Sequence, residues 1–86
     1  MKIVYTKHAL EKFIELESKG WIVTKTKIRG IIKKPKWRGT TKYNQETALG
    51  LMDSSHILRI VLDRKGDIIK VITFHMGRRG KYESTL

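Results

Sequence analysis

The chain has 86 residues, 40% apolar and 31% charged, which is room for one domain, taken as residues 1–86, and a mix that suits a folded protein over a disordered tail. Nineteen Lys and Arg against eight Asp and Glu give a formal charge of +11, a self-repulsion that opposes compaction and that a polyanionic partner would relieve. With no cysteine in the chain, disulfides, thiolate zinc sites and a Cys nucleophile are excluded. Nucleic acid leads the candidate partners, ahead of an anionic membrane surface or an acidic protein. A solvated surface of ion-pair networks would need both signs and does not account for so few carboxylates. The opening Met1–Tyr5 is followed too soon by Lys7, His8, Glu11 and Lys12 to read as a signal peptide. No apolar run reaches the length of a membrane span. The expectation is a cytoplasmic protein with no membrane partner.

In chain order, Lys2 to Tyr5 reads as a first strand. Thr6 offers an N-cap for a helix over roughly Lys7 to Lys19, with Ala9, Leu10, Phe13, Ile14 and Leu16 as one apolar stripe. Gly20 suits the position after the helix end, and Trp21 is placed to cover that end as a core residue. Thr24 can cap a second, shorter helix in which Ile28, Ile31 and Ile32 share a face, and Pro35 stops it. The period then changes to two. Trp37 to Tyr43 and Thr47 to Met52 read as strands around a polar turn at Asn44–Glu46. His56 to Asp63 and Asp67 to His75 are the two strongest strands, joined by a turn at Arg64-Lys65-Gly66. Met76 to Leu86 reads as a basic, partly exposed tail. The order predicts an α+β fold in which two N-terminal helices pack on one face of an antiparallel sheet of three to five strands.

The last hairpin predicts two faces. With Leu62 opposite Ile68, one face carries Leu58, Ile60, Leu62, Ile68, Ile72, Phe74 and Met76, with Lys70 its only charge, and suits packing against the helices. The other carries Ile57, Arg59, Val61, Ile69, Val71, Thr73 and His75, and sets Arg59, Thr73 and His75 over an apolar floor.

RNA can be cut without a metal by few groups. A base takes the proton of the ribose 2′-OH, an acid protonates the leaving 5′-oxygen, and cations stabilise the phosphorane between them. Histidine suits the proton work and arginine the phosphate. His75 ends a strand and leads into Arg78, Arg79, Lys81 and Tyr82, with glycines on both sides of the arginine pair. That stretch reads as a catalytic or phosphate-binding edge, or as a tail that adds only electrostatic affinity. Arg59 interrupts an apolar strand, which suits either phosphate contact or an exposed sheet face. His8, in the first turn of helix 1, points away from the apolar stripe. His56 reads as incidental. Lys33, Lys34, Lys36, Trp37, Arg38 and Arg79 are the candidate nucleic-acid-binding residues, with Trp37 able to stack on an unpaired base. No metal site and no cofactor are expected. The histidines have no ligand spacing and no acidic cluster, and no phosphate-loop, dinucleotide or hydrolase motif occurs.

Thr6-Lys7-His8-Ala9-Leu10-Glu11-Lys12 resembles the opening of a family of small His-Ala-led domains of unknown function. Leu58-Arg59-Ile60-Val61, Ile69–Thr73 and Arg78–Glu83 are similar to the closing strands of RelE/ParE-type and BrnT-type toxins. The resemblance implies a RelE-like fold of the barnase–colicin–RelE group. It also implies a toxin-type ribonuclease that acts on RNA, on the ribosome in some such proteins, and pairs with a small acidic antitoxin. Carried over by position, it nominates His8, Arg59, Thr73 and the Arg78–Tyr82 tail. The expected catalytic set is His75, His8, Arg59, Arg78, Lys81, Tyr82 and Thr73. The alternatives are a nucleic-acid-binding module without chemistry and a toxin-like protein aimed at another protein.

Overall fold

A computed structural model describes residues 1–83, the side chains of Tyr82 and Glu83 excepted. The elements are β1 (Lys2–Tyr5), α1 (Lys7–Ser18), α2 (Lys25–Lys33), β2 (Trp37–Thr40), β3 (Glu46–Leu51), β4 (His56–Lys65), β5 (Ile68–Arg78) and α3 (Arg79–Glu83). The fold is α+β, and the strands form one five-stranded sheet in the order β1-β5-β4-β3-β2. The sheet is mixed, not antiparallel throughout. β2 to β5 form an antiparallel meander, whereas β1 runs parallel to β5. A tight turn forces its two strands to oppose each other, but β1 and β5 are separated by both helices and three strands, so no hairpin sets their direction.

Local chemistry fixes the helix ends. Thr6 Oγ1 accepts from the Ala9 amide at 3.0 Å, and Thr24 Oγ1 accepts from Lys27 at the same distance, which are the side-chain caps expected of threonine. Past α1, Gly20 takes φ +90°. Its amide bonds Glu17 O while the Trp21 amide reaches back to Leu16 O, both at 2.9 Å, the double closure of a glycine-terminated helix.

The core joins Ala9 and Leu16 of α1 and Ile28, Ile31 and Ile32 of α2 to Ala48, Leu58, Ile60, Leu62, Ile69, Val71 and Phe74 of the sheet. Phe13 lies edge-on to Phe74 at 4.9 Å and to Tyr5 at 5.6 Å. The apolar stripe expected along α1 is split. Ala9, Phe13 and Leu16 turn inward, but Leu10 and Ile14 are 45% and 71% exposed. α1 contacts chiefly β5 and, less, β1, so it buries only a narrow part of its surface there.

The β4–β5 hairpin departs from the expected register. Arg64 and Lys65 belong to β4, and the turn is the pair Gly66-Asp67, with Lys65 opposite Ile68. Gly66 has φ +60°, as the first position of a tight hairpin turn of this kind requires. Leu62 therefore faces Val71, and the register slips by one between Val61 and Leu62, with Val61 facing Thr73. Ile72 is the extra residue of a β-bulge. Four expected face assignments fall with this. Ile69 and Val71 are buried in the core, while Ile68 is 43% exposed and Lys70 pairs with Asp63 on the other face. Leu58, Ile60, Leu62, Phe74 and Met76 keep the expected core side.

Candidate nucleic-acid interface

The bulge sets the geometry of the face away from the core. Ladder positions in the turn-proximal half sum to one register, and continuing it would have put Arg59 opposite Phe74. The inserted Ile72 moves every later residue by one and puts Arg59 opposite His75. Directly opposed residues share a face, and the pairing continues across the sheet. His75 opposes Arg59, Arg59 opposes Leu49, and Leu49 opposes Trp37. The four side chains form a row perpendicular to the strands, about 14 Å long at ~4.8 Å per strand. The next row holds Thr73, Val61, Thr47 and Gly39. Leu49, Ile57, Val61 and Thr47 are buried, so Arg59 and His75, both half-buried, stand on an apolar floor.

The helix supplies the end of the row. β1 stops beside Val71, and Thr6 bonds the bulge. Its amide donates to Val71 O at 3.1 Å, and its hydroxyl donates to Ile72 O at 2.7 Å. α1 thus begins beside the second half of β5. His8, Lys12 and Glu15 recur at i, i+4 and i+7 along one edge of that helix, and all three act electrostatically on His75. Burial, first, and then the positive charges of Lys12, Arg59 and His8 hold the His75 imidazole below its ordinary value near 6.5, with Glu15 opposing them. Lys12 pairs with Glu15 at 3.5 Å, and Lys19 pairs with it at 3.5 Å as well. The two lysines, Lys12 foremost, hold the exposed Glu15 carboxyl below the usual range. Thr73 Oγ1 is buried and has no hydrogen-bond partner among the described residues. A buried hydroxyl without a partner is costly, and here it lies one row from Arg59 and His75.

The nominated residues divide. His75, His8, Arg59, Thr73 and Trp37 are gathered on or beside this face. Lys36 joins them, its ammonium 5.1 Å from the Trp37 ring. Lys33 closes α2, and Lys34 is its C-terminal cap residue. Arg38 lies on the row of Ala48, Ile60 and Phe74, so it projects on the other side of the sheet from Trp37, exposed at the edge. The tail is not a loose extension. β5 continues through Arg78, which opposes His56, and α3 then packs against β4 and β5. Arg78 therefore sits at the end of the sheet on the core-side parity, apart from the Arg59–His75 row. The Arg79 amide donates to Ser55 O at 2.8 Å, and Lys81 is exposed on α3. The side chain of Tyr82 lies outside the described residues.

His56 has a structural setting. Its ring packs 4.6 Å from that of Trp21, which is partly buried against the core, and its Nδ1 lies 3.0 Å from Asp53 Oδ1. Hydrogen bonds from the Ser55 amide and from His56 hold the Asp53 carboxyl below its ordinary range. Sequence reasoning set Lys12 and Glu15 on the side of α1 that carries His8 but nominated neither of them, nor Thr47, as a site residue. Only the i, i+4, i+7 spacing from His8 could have drawn out the first two. Among the described residues no group of His, Asp and Glu could hold a metal ion, and no helix is long and apolar enough to cross a membrane. No family model, curated protein or solved structure matches the chain.

Proposed function

We propose that this chain is a metal-independent endoribonuclease of toxin type with a RelE-like fold, cutting single-stranded RNA by attack of the ribose 2′-OH. The observation that carries the reading is the direct opposition of His75 and Arg59, flanked by His8 and Lys12 at one end of the row and by Trp37 at the other. An imidazole held below its ordinary value is the free base at neutral pH. His75 takes the 2′-OH proton as that oxygen bonds to phosphorus. His8 protonates the 5′-oxygen as the P–O5′ bond breaks, which leaves a 2′,3′-cyclic phosphate. Arg59 and Lys12 stabilise the extra charge of the phosphorane. The Thr73 hydroxyl is buried one row from the pair, so its part in this scheme is to shape the floor beneath Arg59 and His75. Trp37 stacks on a base along the strand. Arg78, Arg79 and Lys81 contribute attraction for the strand from the sheet end. The overall charge of +11 favours RNA, on or off the ribosome, and a small acidic antitoxin as a competing cover. A cytoplasmic setting goes with both partners.

A second reading has its own support. An apolar floor with one arginine and an edge tryptophan also makes a stacking platform that binds strands and leaves them whole. Incubation of the purified protein with single-stranded RNA in excess chelator separates the two. Cleavage that His75→Ala or Arg59→Ala abolishes supports the nuclease. Salt-sensitive binding of intact RNA supports the platform and ends the nuclease reading.

A further inference from the structure

A groove of about 480 Å³ lies between α2 and β3, away from the Arg59–His75 row. Lys27, Gly30 and Lys34 line it at i, i+3 and i+7 along α2, and Lys36 lines it from the connection to β2. Its floor is Gly50. A Cβ there would come within 2.7 Å of Ile31 Cγ1, so α2 seats directly on the strand. Gly30 leaves the groove open, because a Cβ at that position would meet nothing within 4 Å. Among the described residues no carboxylate lines the groove. The second groove of similar size, at the β4–β5 turn, holds Asp63 among its cations. Three ammonium groups and the open backbone at Gly30 around one opening suit an anion that comes close to backbone.

The groove is linked to the proposed site by one residue. Lys36 lines the groove, and its ammonium lies over Trp37, the last residue of the row. The groove lies on the α2 side of the sheet, since its floor Gly50 opposes the core residue Leu58, so a strand laid along His75, Arg59, Leu49 and Trp37 turns round the edge strand at Trp37 and meets Lys36 there. We infer that the groove is a remote phosphate subsite, taking a backbone phosphate of the same nucleic-acid strand beyond the base stacked on Trp37. The inference rests on the nucleic-acid reading of the row. It extends that reading to a bound strand longer than the few nucleotides that chemistry needs.

Two substitutions test this without weakening the fold. Lys27→Glu reverses a groove charge at the third position of α2, where a glutamate after the Thr24 cap forms a capping box. Gly30→Leu fills the opening with a better helix former. Thermal melts of both should match or exceed the wild type. The probes are a tetranucleotide and a dodecanucleotide of 2′-O-methyl RNA, which lack the attacking hydroxyl, followed by fluorescence anisotropy across a salt series. Both variants should bind the tetranucleotide like wild type and bind the dodecanucleotide about tenfold more weakly. The salt slope for the longer strand should fall by about 0.7 in Lys27→Glu, the share of one phosphate contact on a single strand. Equal losses on both lengths, or no loss with Gly30→Leu, would overturn the subsite. Cleavage of a ribotetranucleotide by the same variants keeps the two readings apart. Cutting without length-dependent binding removes the subsite alone, and length-dependent binding without cutting removes the nuclease alone.

Discussion

Arg59 and His75 oppose each other across the β4–β5 ladder because Ile72 is inserted as a bulge between Val71 and Thr73. The same bulge offers its carbonyl to Thr6, so one irregularity pairs the two side chains and fixes where α1 begins. The pair brings a cation beside a half-buried imidazole, and the sign of its effect on titration is set by that arrangement.

The pH dependence follows. Burial, then Lys12, Arg59 and His8, depress the His75 imidazole below 6.5. If His75 is the base, the cleavage rate rises with pH through its depressed value, and the acid limb lies below 6.5. Lys12→Met removes a cation that lowers the value, so the limb moves to higher pH. Stability runs in parallel. A histidine with a depressed folded value contributes stability that is present above the unfolded value and lost as pH falls through the folded one. Urea melts from pH 7.5 to 4.5 should show that loss, and His75→Gln should reduce it.

Thr6 joins α1 to the sheet through two side-chain hydrogen bonds, one from the Ala9 amide and one to Ile72 O. Thr6→Ala should cost about 1–2 kcal/mol, the range for a lost threonine cap, read from urea denaturation. Because His8 and Lys12 follow on the same helix, RNA cleavage should fall along with stability, whereas Thr24→Ala at the α2 cap should lower stability and leave cleavage of a short RNA unchanged.

Gly50 and Ile31 test the seating of α2. Gly50→Ala places a methyl 2.7 Å from Ile31 Cγ1 and should cost about 1–3 kcal/mol by overpacking. Ile31→Ala should cost about 2–4 kcal/mol through the cavity it leaves. The double variant should be less destabilised than the sum, since each change relieves the other, and a double-mutant cycle in urea measures the difference.

Trp37 is half-buried at the edge strand, so its ring can be changed with little effect on the core. Trp37→Ala should weaken binding of single-stranded RNA by about 1–3 kcal/mol, the share of one stacked base, while Trp37→Phe retains most of it. Anisotropy titrations at one fixed salt concentration check this.

The helix caps, both helix spans and the two long strands were legible because each carries a local signal: Thr6, Thr24, Gly20, and the alternation along His56–Asp63. The parallel direction of β1 was not, since it depends on which sheet edge is left free. The bulge was not legible either. The apolar residues on both sides of Lys70 fit either face, and the Ile68–Ile72 stretch has no glycine or proline to mark the insertion. Arg59, Thr73 and His75 were placed on their correct common face through a wrong register, Leu62 with Ile68, which differs from the real one in that half of the hairpin by an even step. Arg78 was grouped with His75 because it follows three positions later in the sequence. In a strand that odd spacing sends the side chains to opposite faces. The row from His75 to Trp37 spans four strands and could be assembled only from the pairings.

His75 and Arg59 are proposed to cut RNA by 2′-OH attack without a metal. The most direct test is mass spectrometry of a single-stranded RNA incubated with the protein in chelator, beside the same RNA carrying one deoxyribose at the cleaved position. The expected result is a 2′,3′-cyclic phosphate product from the all-ribose strand, no cut at the deoxy position, and a loss of about 100- to 10,000-fold in rate with His75→Ala. An intact all-ribose strand, or cutting that persists at the deoxy position, would contradict it.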